Sequence, residues 1–244
     1  MAKIRLTIEY EGTAYVGWQL QPNGVSIQQR VEEAIEQLLG EVVRIHSSGR
    51  TDAGVHAVGM VCHLETGRNL PMSAWREGLN RFLPKDIVVR HAEQAADNFH
   101  ARFSASGKHY QYAILRSSVR SPLQMRTSWQ VRQPLDLDMM RAAAALFVGE
   151  HDFAAFRTSG CAALTTLRKI DSIEIIEVGS LLLINVRGTG FLKNMIRMMV
   201  GTLVEIGRGK RQSGDISALL SGAGDVSPAL TAPPQGLCLM EVYY

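Results

Sequence analysis

Residues 47–56 read SSGRTDAGVH. One carboxylate, Asp52, stands between Arg50 and His56, with Gly49 and Gly54 loosening the backbone on either side. An aspartate in such a stretch has two uses. It can hydrogen-bond its own backbone and stabilise a turn. Alternatively, a cation two residues away favours the ionised form, and an ionised carboxylate is a nucleophile or a general base. A second cation is available at Arg197. In the helix predicted at about 191–206, Leu192, Met195, Ile196, Met199 and Leu203 make an apolar stripe, leaving Lys193, Arg197 and Gly201 at spacings of four. Gly201 beside Arg197 permits close approach of another backbone or a ligand. The plainer reading of Arg197 is a surface arginine lying along its helix.

The strand predicted at 107–116 puts Lys108, Tyr110 and Tyr112 on one face by its period of two. Tyrosines on a sheet usually belong to the core. A lysine on the same face favours a ring in a basic cleft, where it can stack on a nucleobase. The charge distribution agrees. The chain carries only +3 overall, yet residues 98–135 contain no Asp or Glu while holding Arg102, Lys108, Arg116, Arg120, Arg126 and Arg132. A segment of one sign attracts polyanions, because each neutralised phosphate releases counterions.

Other chemistries are weaker. His46, Asp52, His56 and His63 could be drawn as metal ligands, but no HExxH-type helix is present and the loop is glycine-rich, so no metal is expected. GTGFLKN (188–194) lacks the third glycine of a dinucleotide fingerprint and reads as a helix N-terminus able to hold a phosphate. Cys62, Cys161 and Cys238 are far apart and form no CxxC, which points to a reducing compartment. The start, MAKIRLTIEYEG, is not a signal peptide, and no run approaches the roughly 18 apolar residues of a membrane span. A cytoplasmic protein with no membrane association is expected.

The elements that must position these residues follow one rhythm twice. Residues 3–10 alternate as a half-buried strand, and 26–39 switch to helical spacing, with Ser26 and Gln29 as a capping box and Gly40 as the stop. Strands are predicted at 41–46 and 57–66, a helix at about 72–83 and a strand at 86–92. The second half repeats the order with a strand at about 107–116, a helix at 136–148, strands at 168–177 and 181–187, the helix at about 191–206 and a last strand in GLCLMEVY (236–243). Two β-α-β-β-α-β units predict an α+β fold of two ferredoxin-like or RRM-like halves. They would make a continuous antiparallel sheet with a central cleft, one half spanning 1–100 and the other 101–244. Long connections at 11–25, 117–135 and 207–235 are rich in Gly, Pro, Ser or Arg and suit RNA-contacting arms.

GRTDAGVHA (49–57), FHARFSA (99–105), KHYQY (108–112), GEHDFAAF (149–156), RGTGFLKNMIRMMVG (187–201) and APPQGLCL (232–239) together resemble the tRNA pseudouridine synthase A family, the TruA-type tRNA pseudouridine(38–40) synthases. The match runs in order over nearly the whole chain. CAALTTLRKI (161–170) departs from it, where the family usually carries a Lys-Ser-Pro-like run. The resemblance implies an isomerase that converts uridine to pseudouridine in the anticodon stem-loop of tRNA, with no cofactor and no metal, acting as a homodimer. It assigns Asp52 as the catalytic aspartate, attacking either C6 of the uracil or C1′ of the ribose. It assigns Tyr110 to stacking on the base, Arg197 as the basic partner of the aspartate, Arg50 to displacing the target base and Leu237 as an apolar residue beneath it. Two rivals stand beside this reading: a non-catalytic RNA-binding module, for which the RRM aromatic signature is absent, and a metal-dependent hydrolase using Asp52 and His56.

Overall fold

A computed structural model of the chain describes residues 1–158, 160–161, 163–223, 226–227 and 230–244. Its opening alternation becomes strand β1 (Ala2–Tyr10), with Ile4, Leu6, Ile8 and Tyr10 buried and the residues between them half-buried. Helix α1 (Ile27–Leu39) starts where the Ser26 side chain accepts the Gln29 N–H at 3.1 Å. It stops at Gly40, whose left-handed backbone (φ 72°) returns its N–H to the Glu36 carbonyl. The helix buries Ile27, Val31, Ala34, Ile35 and Leu39. A short strand β2 (His46–Ser47), strand β3 (His56–Thr66), a π-helical turn (Ala74–Gly78) running into α2 (Leu79–Phe82), and strand β4 (Ile87–Ala95) follow. β1 pairs antiparallel with β3 on one side and β4 on the other, and β2 adds to β3.

The later elements are β5 (Gly107–Arg116), β6 (Trp129–Val131), α3 (Leu137–Ala145), β7 (Gly149–Asp152), β8 (Leu167–Val178), β9 (Leu181–Gly188), α4 (Met195–Gly207), α5 (Gly214–Ser221) and β10 (Leu237–Tyr243). β5, β9, β8 and β7 pair antiparallel in that order, with β6 parallel to β5. β10 runs parallel to β3 through Cys238 and Leu239. Among the described residues this is a mixed α+β fold of ten mostly antiparallel strands and five α-helices. Two compact units emerge, Met1–Ser106 with Cys238–Tyr244, and Gly107–Leu237. No helix among the described residues is long and apolar enough to cross a membrane.

Three elements differ from the sequence expectation for local reasons. The strand expected at 41–46 shrinks to His46–Ser47 because α1 side chains take the Ile45 backbone. Glu32 Oε1 accepts its N–H at 3.1 Å, and Gln28 Nε2 donates to its carbonyl at 3.5 Å. α4 begins at Met195 rather than near 191, since Asn194 sits in the left-handed region at φ 61° and breaks the helical run. α3 ends at Ala145, and Gly149 (φ 112°) opens β7, a strand absent from the periodicity.

On the face of β1 opposite Ile4 and Leu6, Arg5 pairs across the ladder with His63. The His63 ring is only 2% exposed, stacked on His46 (centroids 5.2 Å apart) and edge-on to His100 (4.7 Å). Its Nδ1 accepts the Ala101 N–H at 3.2 Å. His100 Nδ1 in turn accepts the N–H groups of Arg102 and Phe103 at 3.1 and 3.3 Å. Tyr244 donates to the Ala101 carbonyl, and the Arg5 guanidinium lies 4.5 Å from the Tyr244 ring centre. Two imidazoles thus serve as hydrogen-bond acceptors for one turn, a role open only to the neutral ring. Burial, reinforced by His100, His46 and Lys3, lowers the His63 pKa to about 4, and burial with His46 and Lys3 lowers that of His100.

A depressed imidazole pKa means that the unfolded chain binds the proton first. Stability is therefore full above the ordinary value of 6.5 and falls progressively as the pH drops from there through about 4. Urea midpoints measured at pH 7 and pH 5 are expected to fall for the native sequence. They should fall distinctly less for His63→Gln, whose amide oxygen can still accept the Ala101 N–H without titrating. Equal losses in both proteins would remove His63 as the source.

Candidate active site

The loop carrying Asp52 is fastened by main chain. Thr51, 7% exposed, accepts the Trp18 N–H on its carbonyl at 3.1 Å and shares a 2.7 Å hydroxyl contact with Tyr10. The Asp52 carbonyl accepts the Val55 N–H at 3.1 Å, closing a turn whose Gly54 takes φ 76°. Gly54 N–H reaches the Tyr15 carbonyl, and Gly12 N–H donates to His56 Nδ1 at 3.0 Å, with a Glu11 carboxylate oxygen 3.4 Å from the same ring nitrogen. The turn thus closes from main chain to main chain.

This fastening requires two glycines. A Cβ on Gly12 would run into the Val55 carbonyl oxygen, and one on Gly17 (φ 105°) would come 2.6 Å from that of Thr51. Residues 12–18 therefore lie with their backbone directly on residues 51–55. Asp52 itself is half-buried and Arg50 is exposed.

In the second unit, Tyr110 on β5 is 7% exposed and meets the Phe191 ring edge-on at 5.2 Å. Tyr112, on the same face, donates to the Pro233 carbonyl at 2.7 Å. Burial drives its phenol pKa up, against the opposing pull of the Arg197 charge. Arg197 is half-buried on α4. Its Nε donates to the Ala232 carbonyl at 2.7 Å, its Nη1 to Asn194 Oδ1 at 2.6 Å, and its own carbonyl accepts the Ala232 N–H. That is a clamp on residues 230–233 rather than a side chain stretched along a surface. Gly201 serves the same clamp, because a Cβ there would collide with the Leu230 carbonyl. Leu237, 5% exposed, follows Gly236, where a Cβ would stand 2.5 Å from the Tyr112 ring.

Asp52 and Arg50 thus share one loop of the first unit, while Tyr110, Arg197 and Leu237 belong to the second and are linked through Tyr112 and residues 232–236. Sequence reasoning did not find the supports: Thr51, the glycines at 12 and 17, Asn194 and the Ala232 carbonyl. Only the G-x-x-x-x-G spacing of Gly12 and Gly17 was visible, and it has no meaning until the partner backbone is known. Among the described residues no group of three or more His, Cys, Asp or Glu is placed to hold a metal ion.

A sequence profile described as tRNA pseudouridine synthase matches residues 6–104 and 143–244. The chain is 59% identical over its whole length to the tRNA pseudouridine synthase A of Syntrophotalea carbinolica, covering 97% of that protein. It is 46% identical to the tRNA pseudouridine synthase A of Myxococcus xanthus, again over the full chain and 92% of the relative. Among solved structures, an archaeal box H/ACA sRNP Nop10–Cbf5 complex aligns over 96% of this chain and 46% of that one, with 14% identity and a TM-score of 0.38.

Gly17→Ala is expected to strain a left-handed backbone and to push Thr51 away, lowering stability by roughly 1–3 kcal/mol. Hydrogen exchange at the Trp18 and Val55 amides, whose acceptors lie in the loop, should accelerate more than exchange in β4. Uniform acceleration across the unit would show that the clamp is not local.

Proposed function

Because this chain belongs to the tRNA pseudouridine synthase family, whose members are isomerases acting on tRNA uridines, we propose that it acts in the anticodon stem-loop, at tRNA positions 38, 39 and 40, with Asp52 as the nucleophile. The observation that carries the reading is the Asp52 loop. A half-buried carboxylate rides on a backbone fixed by its neighbours, so it is presented without a local conformational search.

In this reading the target uridine leaves its stack, at a cost of a few kcal/mol. Exposed Arg50 enters the space it vacates, while Tyr110 covers the base and Leu237 supports it from below. Asp52 attacks C6 of the uracil or C1′ of the ribose. The glycosidic N1–C1′ bond breaks, the uracil turns, and C5 bonds to C1′. The proton released from C5 passes to solvent, directly or through the Tyr110 hydroxyl, which accepts it as it hands on its own, N1 ends protonated, and the aspartate is freed. Nothing is oxidised or reduced, so the reaction needs no redox cofactor, and the reading invokes no metal. Arg197 supplies positive charge that keeps the carboxylate ionised. Each unit is read as a ferredoxin-like half, and the enzyme works in the cytoplasm as a homodimer.

Purified protein incubated with unmodified tRNA and EDTA should produce pseudouridine at positions 38–40, seen by direct mapping. Strand scission, or binding with no isomerisation, would favour the hydrolase or the binding module. Asp52→Ala should abolish turnover while tRNA binding stays within a few fold, since binding rests on phosphate contacts. A variant retaining a tenth of native activity would end the nucleophile assignment. Tyr110→Phe keeps the ring and removes the hydroxyl. Undiminished activity in it would leave proton acceptance to solvent.

A further inference from the structure

The turn at residues 99–104 plays no part in the chemistry above, yet it is built with unusual care. Four rings pile outward from the sheet: His46 on His63, His63 against His100, and His100 against Phe103 at 4.3 Å with a 33° tilt. Within the pile His63 is buried, at 2% exposure, and the outer end is Phe103 at 76%. An isolated exposed Phe on a mobile loop would mean little. Here the Phe103 N–H is bonded to His100 Nδ1, the adjoining Ala101 is held at both its N–H and its carbonyl, and Lys3 anchors the Asp97 and Phe99 carbonyls at 2.7 and 2.8 Å. The exposed ring is therefore held still. The Arg102 guanidinium lies 5.6 Å from its centre, His46 is exposed at the foot of the pile, and no acid occurs between residues 98 and 135.

An aromatic face flanked by a guanidinium and an imidazole able to donate suits a nucleobase above and phosphates beside it. We propose that residues 99–104 form a second RNA-contact site, where an unpaired or terminal base of the tRNA stacks on Phe103 and the adjoining phosphates meet Arg102 and His46. The site lies away from the target nucleotide. His63 is seven residues beyond His56 along β3, roughly 23 Å at the usual strand rise, whereas Asp52 precedes that strand. It would grip a different part of the same molecule and set how the stem-loop is delivered. The proposal rests on tRNA being the substrate, though not on Asp52 being the nucleophile.

Phe103→Ala should raise KM for full-length tRNA between about fivefold and a hundredfold, the range of one lost base–aromatic stack. It should leave kcat unchanged, because Phe103 touches no catalytic group, and Phe103→Trp should restore KM. The added emission of Phe103→Trp over the native protein should be quenched by tRNA. An unchanged KM in Phe103→Ala, or emission indifferent to tRNA, overturns the proposal. So does emission that changes on dilution of the protein without RNA, since a second copy would then occupy the surface. If the native protein makes no pseudouridine, the proposed activity fails, but the quenching titration still decides whether the platform binds RNA.

Discussion

The contact on which the first unit's chemistry depends is one of backbone with backbone. Residues 12–18 lie on residues 51–55 with no side chain between them, because Gly12 and Gly17 have none to interpose. Hydrogen bonds from Trp18 to Thr51, Gly54 to Tyr15 and Gly12 to His56 then register the two segments. Buried hydrogen bonds of this kind each contribute about 1 kcal/mol net, but leaving one unmade costs more than forming it gains. The arrangement is therefore stiff against partial opening. Trp18 and Tyr15, both buried, anchor the far side, and the Tyr15 hydroxyl is tied to Asp86 at 2.7 Å. Within the connection at 11–25, residues 12–18 are thus a packed strut for the Asp52 loop, while 20–24 are exposed.

The second unit uses the same device with different residues. α4 buries eleven of its thirteen residues and meets the segment at 230–236 through missing side chains, at Gly201 against Leu230 and at Gly236 against Tyr112. Arg197 and Ala232 exchange hydrogen bonds, so the guanidinium is oriented by the strand of chain it holds. A charge-assisted bond of this sort is worth about 1.5–3 kcal/mol and fixes a long, rotamer-rich side chain.

Much of this was legible in the sequence because regular elements announce themselves by period. The alternation of β1, the capping of α1 by Ser26 and its arrest at Gly40, and the hairpin of β8 and β9 over Gly179-Ser180 all follow from local rules. The failures are equally instructive. Residues 41–45 have strand-forming types, but Glu32 and Gln28 reach across from α1 and take the Ile45 backbone groups, a tertiary effect no window of sequence contains. The start of α4 hid behind Asn194, whose left-handed conformation is rare outside glycine. At the site, residue types suggested a chemistry while the supports remained invisible. Glycine spacing, a threonine hydroxyl and a backbone carbonyl acquire roles only once the partner segment is in place. Arg50, two residues before Asp52 and read from that nearness as a cation favouring the ionised carboxylate, is exposed on the loop.

That outward arginine has a counterpart in Phe103. Both are exposed beside anchored backbone, Arg50 between the bonded Ser48 N–H and Thr51 carbonyl and Phe103 on a turn held by His100 and Lys3. A side chain that must meet a large polyanionic partner loses least on binding if its base is already ordered, because the conformational entropy was surrendered during folding. A free arm would surrender it in the complex and bind more weakly for the same contacts. The cost falls on fold stability instead, which explains why the turn at 99–104 relies on neutral imidazoles. They satisfy three backbone N–H groups in a setting crowded by Lys3, Arg5 and Arg102, where a carboxylate acceptor would cancel the positive charge presented to the partner.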